Sequence, residues 1–108
     1  MVFLNNDVRF ILARPGDDLK KIGREFGQSA SSLKRFNDLE AKVKPGPGSK
    51  VYLEKKKARH KQKLHRVKAG ETLHSISQDY GIRLKPLARR NGLKPDDALP
   101  VGGMLMLR

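Results

Sequence analysis

Shifting the chain by 54 positions lays its second half on its first without a gap. Gly16 then meets Gly70, Leu19 meets Leu73, Ile22 meets Ile76, Gly27 meets Gly81 and Leu33 meets Leu87. The register continues through Asn37 and Asn91, Leu39 and Leu93, Gly48 and Gly102, and Leu53 and Leu107. Conservative pairs fill the intervals: Asp17 with Glu71, Phe26 with Tyr80, Val51 with Leu105. Two unrelated amphipathic helices share apolar spacing, but they do not share glycines and asparagines in one frame, so the chain reads as a true repeat. Divided in two, 108 residues leave room for two very small units and exclude a large catalytic core.

Each unit has a physical reading. In the first, Leu19, Ile22 and Phe26 fall at helical spacing behind Asp18, whose carboxylate is suited to capping the first turn. Gly27 ends that helix. A second short helix takes Ser29 as its cap, turns Ala30, Leu33 and Phe36 inward and stops at Asn37, a residue that tolerates the left-handed conformation. Arg9 to Ala13 before the helices and Lys50 to Leu53 after them read as strands. The second unit follows: a strand from His65 to Lys68, Thr72 as cap, Leu73, Ile76 and Tyr80 inward, Gly81 as stop, Leu84 and Leu87 inward, Asn91 as terminator, and a strand from Met104 to Leu107. Pro86 is harmless within a first turn, where its missing N–H has no intrahelical partner to lose. Arg83 stands where the first unit has Ser29, which predicts a weaker helix start. The fold class is α+β: two small βααβ domains, at 8–53 and 65–108, joined by a short basic linker at 54–64.

Charge is concentrated in that linker. The chain carries 24 Lys and Arg against 11 Asp and Glu, a net charge of +13. From Glu54 to Arg66 the sequence reads EKKKARHKQKLHR, seven basic residues against one acid, so about half of the excess sits in one stretch whose only large apolar residue is Leu64. Like charges so close repel, and there is little apolar surface to offset ordering, which predicts an extended or loosely helical connector. A pI near 10.4 directs attention to anionic partners: nucleic acid, a lipid surface or an acidic polysaccharide. The absence of cysteine excludes disulfides, thiolate metal sites and a cysteine nucleophile. The start MVFLNNDVRF lacks the charged and apolar regions of an export signal, and no run of about 18 apolar residues suggests membrane insertion.

Catalysis is not expected. Hydrolysis by paired carboxyl groups needs the two about 5–9.5 Å apart across the bond cleaved, one with a raised pKa. The pairs Asp17–Asp18 and Asp96–Asp97 are sequence neighbours at turns, where such residues serve as caps. His60, His65 and His74 lack metal-site spacing and read as solvated or strand residues. Neither a cofactor nor a metal is expected.

The stretch HRVKAGETLHSISQDYGIRLKPLARRNGL followed by LPVGGMLML resembles a LysM domain, and RFILARPGDDLKKIGREFGQSASSLKRFNDL followed by PGPGSKVYL is similar to a second. The doublet also resembles the C-terminal wall-binding tail of bacterial peptidoglycan hydrolases of the glucosaminidase and amidase types. The resemblance implies a two-stranded antiparallel sheet with two helices on one side, and non-catalytic binding of N-acetylglucosamine-containing glycan, peptidoglycan first and chitin second. It further implies anchoring of an attached or partner cell-wall hydrolase and location in the cell envelope, periplasmic or extracellular; the sequence leaves the oligomeric state open, with a monomer as the expectation.

By position, the family's shallow groove falls between the loop from first strand to first helix and the loop from second helix to second strand. In the first unit this implies Gly16, Asp17, Asp18 and Leu19 facing Asp38, Leu39, Glu40 and Ala41. In the second it implies Gly70, Glu71, Thr72 and Leu73 facing Gly92, Leu93, Lys94 and Pro95. Backbone groups of such loops suit an N-acetyl amide and a small apolar side chain suits its methyl group. The competing reading makes Leu19, Leu39, Leu73 and Leu93 core residues and Gly16 and Gly70 turn residues only. Asp18, where the family commonly has Thr or Ser, adds a carboxylate that disfavours an acidic glycan, so the second unit is the better groove. Two alternatives stand beside the glycan reading: a basic nucleic-acid-binding module, weakened by the lack of an exposed aromatic ladder, and a protein-interaction module on the same fold.

Overall fold

A computed structural model of the chain describes residues 1–39 and 44–108, so two candidates for the first groove, Glu40 and Ala41, lie outside the described residues. The chain forms two compact units, Met1–Lys56 and Lys57–Arg108. In unit 1, β1 (Phe3–Asn5), β2 (Val8–Leu12) and β3 (Lys50–Tyr52) make an antiparallel sheet in that order, with α1 (Leu19–Phe26) and α2 (Ala30–Phe36) between β2 and β3. Unit 2 has β4 (Leu64–Arg66), α3 (Leu73–Tyr80), α4 (Leu84–Arg90) and β5 (Met104–Met106), with β4 and β5 paired antiparallel. The βααβ order read from the repeat is present in both.

Local sequence sets the helix ends. Asp18 accepts from the Lys21 N–H at 2.7 Å, Ser29 from Ser32 N–H at 3.0 Å, and Thr72 from Ser75 N–H at 3.0 Å while Ser75 Oγ accepts from Thr72 N–H at 2.9 Å, a reciprocal capping box. Arg83 makes no side-chain cap, as its chemistry requires. Gly27 and Gly81 close α1 and α3 at φ 70° and 67°, a left-handed turn that costs a residue with a Cβ but not glycine.

The helices bury one stripe each against one face of the sheet. Ile22 and Leu33 in unit 1, and Leu73, Ile76, Ile82, Leu87 and Leu107 in unit 2, have no exposed surface. Each such side chain contributes about 1.5–3 kcal/mol on leaving water.

Three features differ from the sequence reading. First, β1 was not expected. It joins β2 through Asn6 and Asp7, both at positive φ (53° and 60°), the backbone of a two-residue hairpin turn. Phe3 stacks on Phe10 at 5.4 Å, and Asn5 Nδ2 donates to the Tyr52 hydroxyl at 2.9 Å. A second small core of Val8, Phe10 and Tyr52 thus forms on the sheet face away from the helices. The counterparts of Phe10 and Tyr52 in unit 2, Leu64 and Met106, stay exposed.

Second, Asn37 and Asn91 do not end their helices in the left-handed conformation: φ is −106° and −100°. Instead Asn37 Nδ2 donates to the Leu33 and Tyr52 carbonyls at 2.7 and 3.0 Å, and Tyr52 N–H donates to Asn37 Oδ1 at 2.7 Å. Asn91 makes the same three bonds with Leu87 and Met106, at 2.9, 2.9 and 2.7 Å. Each carboxamide mimics one residue of a neighbouring strand, satisfying the outward N–H and C=O of β3 or β5 and fastening a helix end to it.

Third, the basic stretch is not an unattached connector. Glu54 Oε1 accepts from Arg9 N–H at 2.8 Å, and Lys56 is 2% exposed with Nζ 2.8 Å from Asp38 Oδ2 in unit 1. On the other side of the boundary, Lys57 N–H donates to the Gly81 carbonyl at 3.1 Å, Arg83 N–H to the Lys57 carbonyl at 2.8 Å and His60 N–H to the Leu107 carbonyl at 2.9 Å, all within unit 2. Backbone hydrogen bonds offset the repulsion of the side chains, whose charged ends spread into solvent wherever the residue is exposed.

Candidate functional site

In each unit the turn that leads into the first helix is built by the same sequence signals. The strand-to-helix turn of unit 2 is closed by Glu71, whose Oε1 accepts from Lys68 N–H at 2.7 Å while its own N–H returns to the Lys68 carbonyl at 3.2 Å. In unit 1 Asp17 Oδ2 accepts from Arg14 N–H at 2.9 Å and Asp17 N–H returns to the Arg14 carbonyl at 3.0 Å. Gly16 and Gly70, between these anchor points, lie at φ 81° and 82°. The other end is held by Ala13 and Val67, which pair with Ser49 and Gly103 at 2.8 and 2.9 Å.

The carboxylates of these turns work inward. Asp17 is buried and receives Arg14 Nε at 2.9 Å, and hydrogen bonds from the Arg14 backbone and side chain hold it below the usual carboxylate range. Glu71 lies 2.8 Å from His65 Nε2, and that hydrogen bond leads the effects that hold its carboxyl below the ordinary value. His65 Nδ1 is in turn 2.7 Å from the Tyr80 hydroxyl. His65 is therefore no plain strand residue: it links the turn to the end of α3. Its counterpart in the repeat, Ile11, has no such chemistry, and the spacing of His65, Glu71 and Tyr80 gave no local signal of it.

The second loop of unit 2 begins at the Asn91 clamp. Gly92 N–H and Leu93 N–H return to α4 through the Arg89 and Ala88 carbonyls at 3.1 and 2.9 Å. Lys94 and Asp97 bracket a further turn: Lys94 N–H donates to Asp97 Oδ2 at 2.8 Å and Asp97 N–H to the Lys94 carbonyl at 3.1 Å. In unit 1 Leu39 N–H returns to the Lys34 carbonyl at 3.0 Å, and Asp38, at φ 51°, is engaged by Lys56.

An open cavity of about 180 Å³ lies beside this loop in unit 2. Its lining is mostly apolar, from Val67, Leu93, Leu99, Pro100, Met104 and Leu105, with Asn91 and Gly103. Of the residues expected in the second groove, Leu93 lines the cavity, Leu73 is fully buried in the core, and Gly70, Thr72, Gly92, Lys94 and Pro95 are exposed on the flanking loops. In unit 1 Leu19 is buried in the core, Leu39 packs against it, and Asp18 is committed to its cap. Val67, Leu99, Pro100 and Met104 were not singled out from the sequence. Position in the repeat was the available signal for Val67, at the end of the strand, but the loop from Asp96 to Gly103 has no fixed period to read.

Apolar walls beside backbone-rich turns suit a ligand with a small methyl-bearing group and several hydrogen-bonding positions. Among the described residues no group of three or more His, Asp or Glu side chains is placed to hold a metal ion. No helix among them is long and apolar enough to cross a membrane.

The LysM domain pattern matches residues 13–53 and 65–107. Among curated proteins the chain is 29% identical over 92 residues to the probable peptidoglycan endopeptidase LytE of Bacillus subtilis, covering 77% of this chain and 28% of that protein. It is 30% identical over 100 residues to the membrane-bound lytic murein transglycosylase D of Escherichia coli, covering 84% of this chain and 22% of that one. The autolysin of Enterococcus faecalis matches at 29% over 92 residues, 77% of this chain and 12% of its own length. The chain thus spans little more than a quarter of the longest-covered of these relatives.

Proposed function

The chain belongs to the LysM domain family, with one domain in each half, and from that premise we propose that it holds an attached or partner cell-wall hydrolase on bacterial peptidoglycan. LysM domains are binding modules for peptidoglycan and related N-acetylglucosamine glycans and are not catalytic. The observation that carries the reading is the doubled family pattern, present over both halves in one register. The cavity of unit 2 supports it, since Val67, Leu93 and Leu99 offer an apolar seat for an N-acetyl methyl group.

In this reading Gly70, Glu71, Thr72 and Leu73 face Gly92, Leu93, Lys94 and Pro95 across the glycan, contributing through backbone groups where the side chain is buried. Gly16, Asp17, Asp18 and Leu19 do the same opposite Asp38, Leu39, Glu40 and Ala41. Single shallow grooves bind weakly. Two on one chain raise the local concentration of the second site to the millimolar range once the first is engaged, and avidity supplies retention on a glycan network. The proposed setting is the cell envelope, with the chain acting as a monomer.

A titration of the whole chain with N-acetylglucosamine oligomers at physiological salt, followed by backbone amide NMR shifts, tests the site. Shifts confined to 67–73 and 91–104 that grow with oligomer length are expected. An unchanged spectrum would refute the groove assignment. Retention on insoluble wall is expected to drop steeply when the chain is cut between the units, and equal pelleting of the separated units would refute avidity.

A further inference from the structure

Residues 57–63 read KARHKQK and residues 83–90 read RLKPLARR: eight basic side chains and not one acid. The fold lays the first stretch against the helix made by the second. Lys57 pairs with Ile82 as a parallel bridge, Arg83 N–H donates to the Lys57 carbonyl at 2.8 Å, and Arg90 Nη2 donates to the Ala58 carbonyl at 2.8 Å. Two runs far apart in sequence thus become one basic surface along α4, a helix of 7 residues and so about 10 Å long at 1.5 Å per residue. Of the four side-chain carboxylates in unit 2, Glu71, Asp96 and Asp97 belong to the loops already described, and Asp79, near the end of α3, is the one closest in sequence to Arg83.

Two arginines of this surface are also under-satisfied. Arg83 Nε and Arg90 Nη1 are buried N–H donors without an acceptor among the described residues. Arg83 Nε and Arg90 Nη1 are closed to solvent, so a ligand would meet the outer edge of each guanidinium, whose planar fork matches a phosphate better than a lysine does. Burial, and after it the charge of Arg59, push the Arg90 guanidinium below its ordinary value, as expected where cations crowd.

We propose that unit 2 carries a second binding surface, formed by residues 57–60 along α4 and centred on Arg83 and Arg90, that takes a linear phosphodiester polymer. Repeated cations along one helix call for a repeating anion rather than a single carboxylate. The two stretches contain no Phe, Tyr or Trp, and His60 is packed edge-on against Tyr80 at 5.2 Å. Bases would therefore find no stacking platform, which favours a phosphodiester chain without bases over nucleic acid. The surface shares no residue with the loops at 67–73 and 91–104, so a glycan and the polymer bind side by side.

The test titrates the whole chain with poly(glycerol phosphate) at 0.15 M salt, followed by amide NMR. Shifts at 57–60 and 83–90, with the groove loops unmoved, are expected, with affinity falling steeply as salt rises. Arg83→Gln with Arg90→Gln is expected to weaken binding tenfold or more, while Lys85→Gln with Arg89→Gln, which removes the same charge from exposed positions, changes it less than threefold. Equal losses in the two pairs would overturn the proposal by reducing it to diffuse charge, as would no binding. Should the glutamine pair disturb the fold, Arg83→Lys with Arg90→Lys decides: unchanged affinity would overturn the role of the guanidinium fork. Oligothymidylate with the same number of phosphates is expected to bind no more tightly, and tighter binding would identify nucleic acid as the ligand instead.

Discussion

The asparagine clamps give a comparison in which the bonds are the same and only burial differs. Asn37 and Asn91 each make three hydrogen bonds of 2.7–3.0 Å to a preceding helical carbonyl and to both backbone groups of one strand residue. Asn37 and its partner Tyr52 have no exposed surface, whereas Asn91 is only half-buried and Met106 is 43% exposed. A net hydrogen bond contributes about 1 kcal/mol, and a buried donor left unmet costs about 1–3 kcal/mol. Asn37→Ala strips Tyr52 N–H of its acceptor where water does not reach, so unit 1 should lose about 3–4 kcal/mol. Asn91→Ala opens the same groups to solvent, which replaces the lost bonds, and unit 2 should lose about 1 kcal/mol. Urea titrations read on amide resonances of each unit separate the two losses, and the gap of about 2–3 kcal/mol corresponds to about 10 °C or more in Tm for units this small. Asn37→Leu, which keeps the volume, is expected to lose nearly as much as the alanine variant. Equal losses in the two units, or a stable leucine variant, would refute the clamp as the reason for the paired asparagines.

Gly23→Ala reverses the usual helix rule. Alanine ordinarily gains about 1 kcal/mol over glycine inside a helix, but a Cβ at Gly23 overlaps the Gln28 carbonyl oxygen, so a loss of about 1–3 kcal/mol in unit 1 is expected on denaturation. The ion pair of Lys56 and Asp38 is asymmetric in burial, with side chains 0% and 22% exposed. Asp38→Asn should therefore cost about 3 kcal/mol by removing the carboxylate charge beside a buried ammonium, while Lys56→Met should cost about 1 kcal/mol or less, and the opposite order in urea midpoints would contradict this. The hydrogen bond from His65, and after it the one from the Lys68 N–H, hold the Glu71 carboxyl below the ordinary glutamate range. A lowered carboxylate stabilises the fold above the unfolded value and loses that contribution as pH falls through the folded one. Unit 2 should thus weaken on going from pH 5 to pH 3, and Glu71→Gln should remove part of that dependence in amide exchange.

Much of each unit was legible because its signals are local. Caps at Asp18, Ser29 and Thr72 bond three residues ahead, and the apolar stripe of α1 or α3 spans two turns, so both are written within a few residues of the chain. The hairpin of β1 and β2 was legible in principle: two apolar runs, VFL and VRFIL, flank Asn6 and Asp7. The repeat has no counterpart for it, so the register carries no sign of it. The loops of the candidate site were located by register, but which of their residues line the cavity was not.

The sequence by itself determined the doubling, the βααβ order shared by the two halves, the side-chain caps that start three of the helices and the family, since these rest on periodicity and on contacts between near neighbours. Tertiary structure decided the rest. Asn37 became a strand mimic because Tyr52 arrives beside it from 15 positions away. Lys56 became buried because Asp38 and the Tyr52 ring, 5.9 Å from its ammonium, stand over the place where the chain leaves β3. The stretch expected to be a repelled linker is instead fastened to unit 1 up to Lys56 and to unit 2 from Lys57, largely by backbone groups, which every residue carries and no composition reveals.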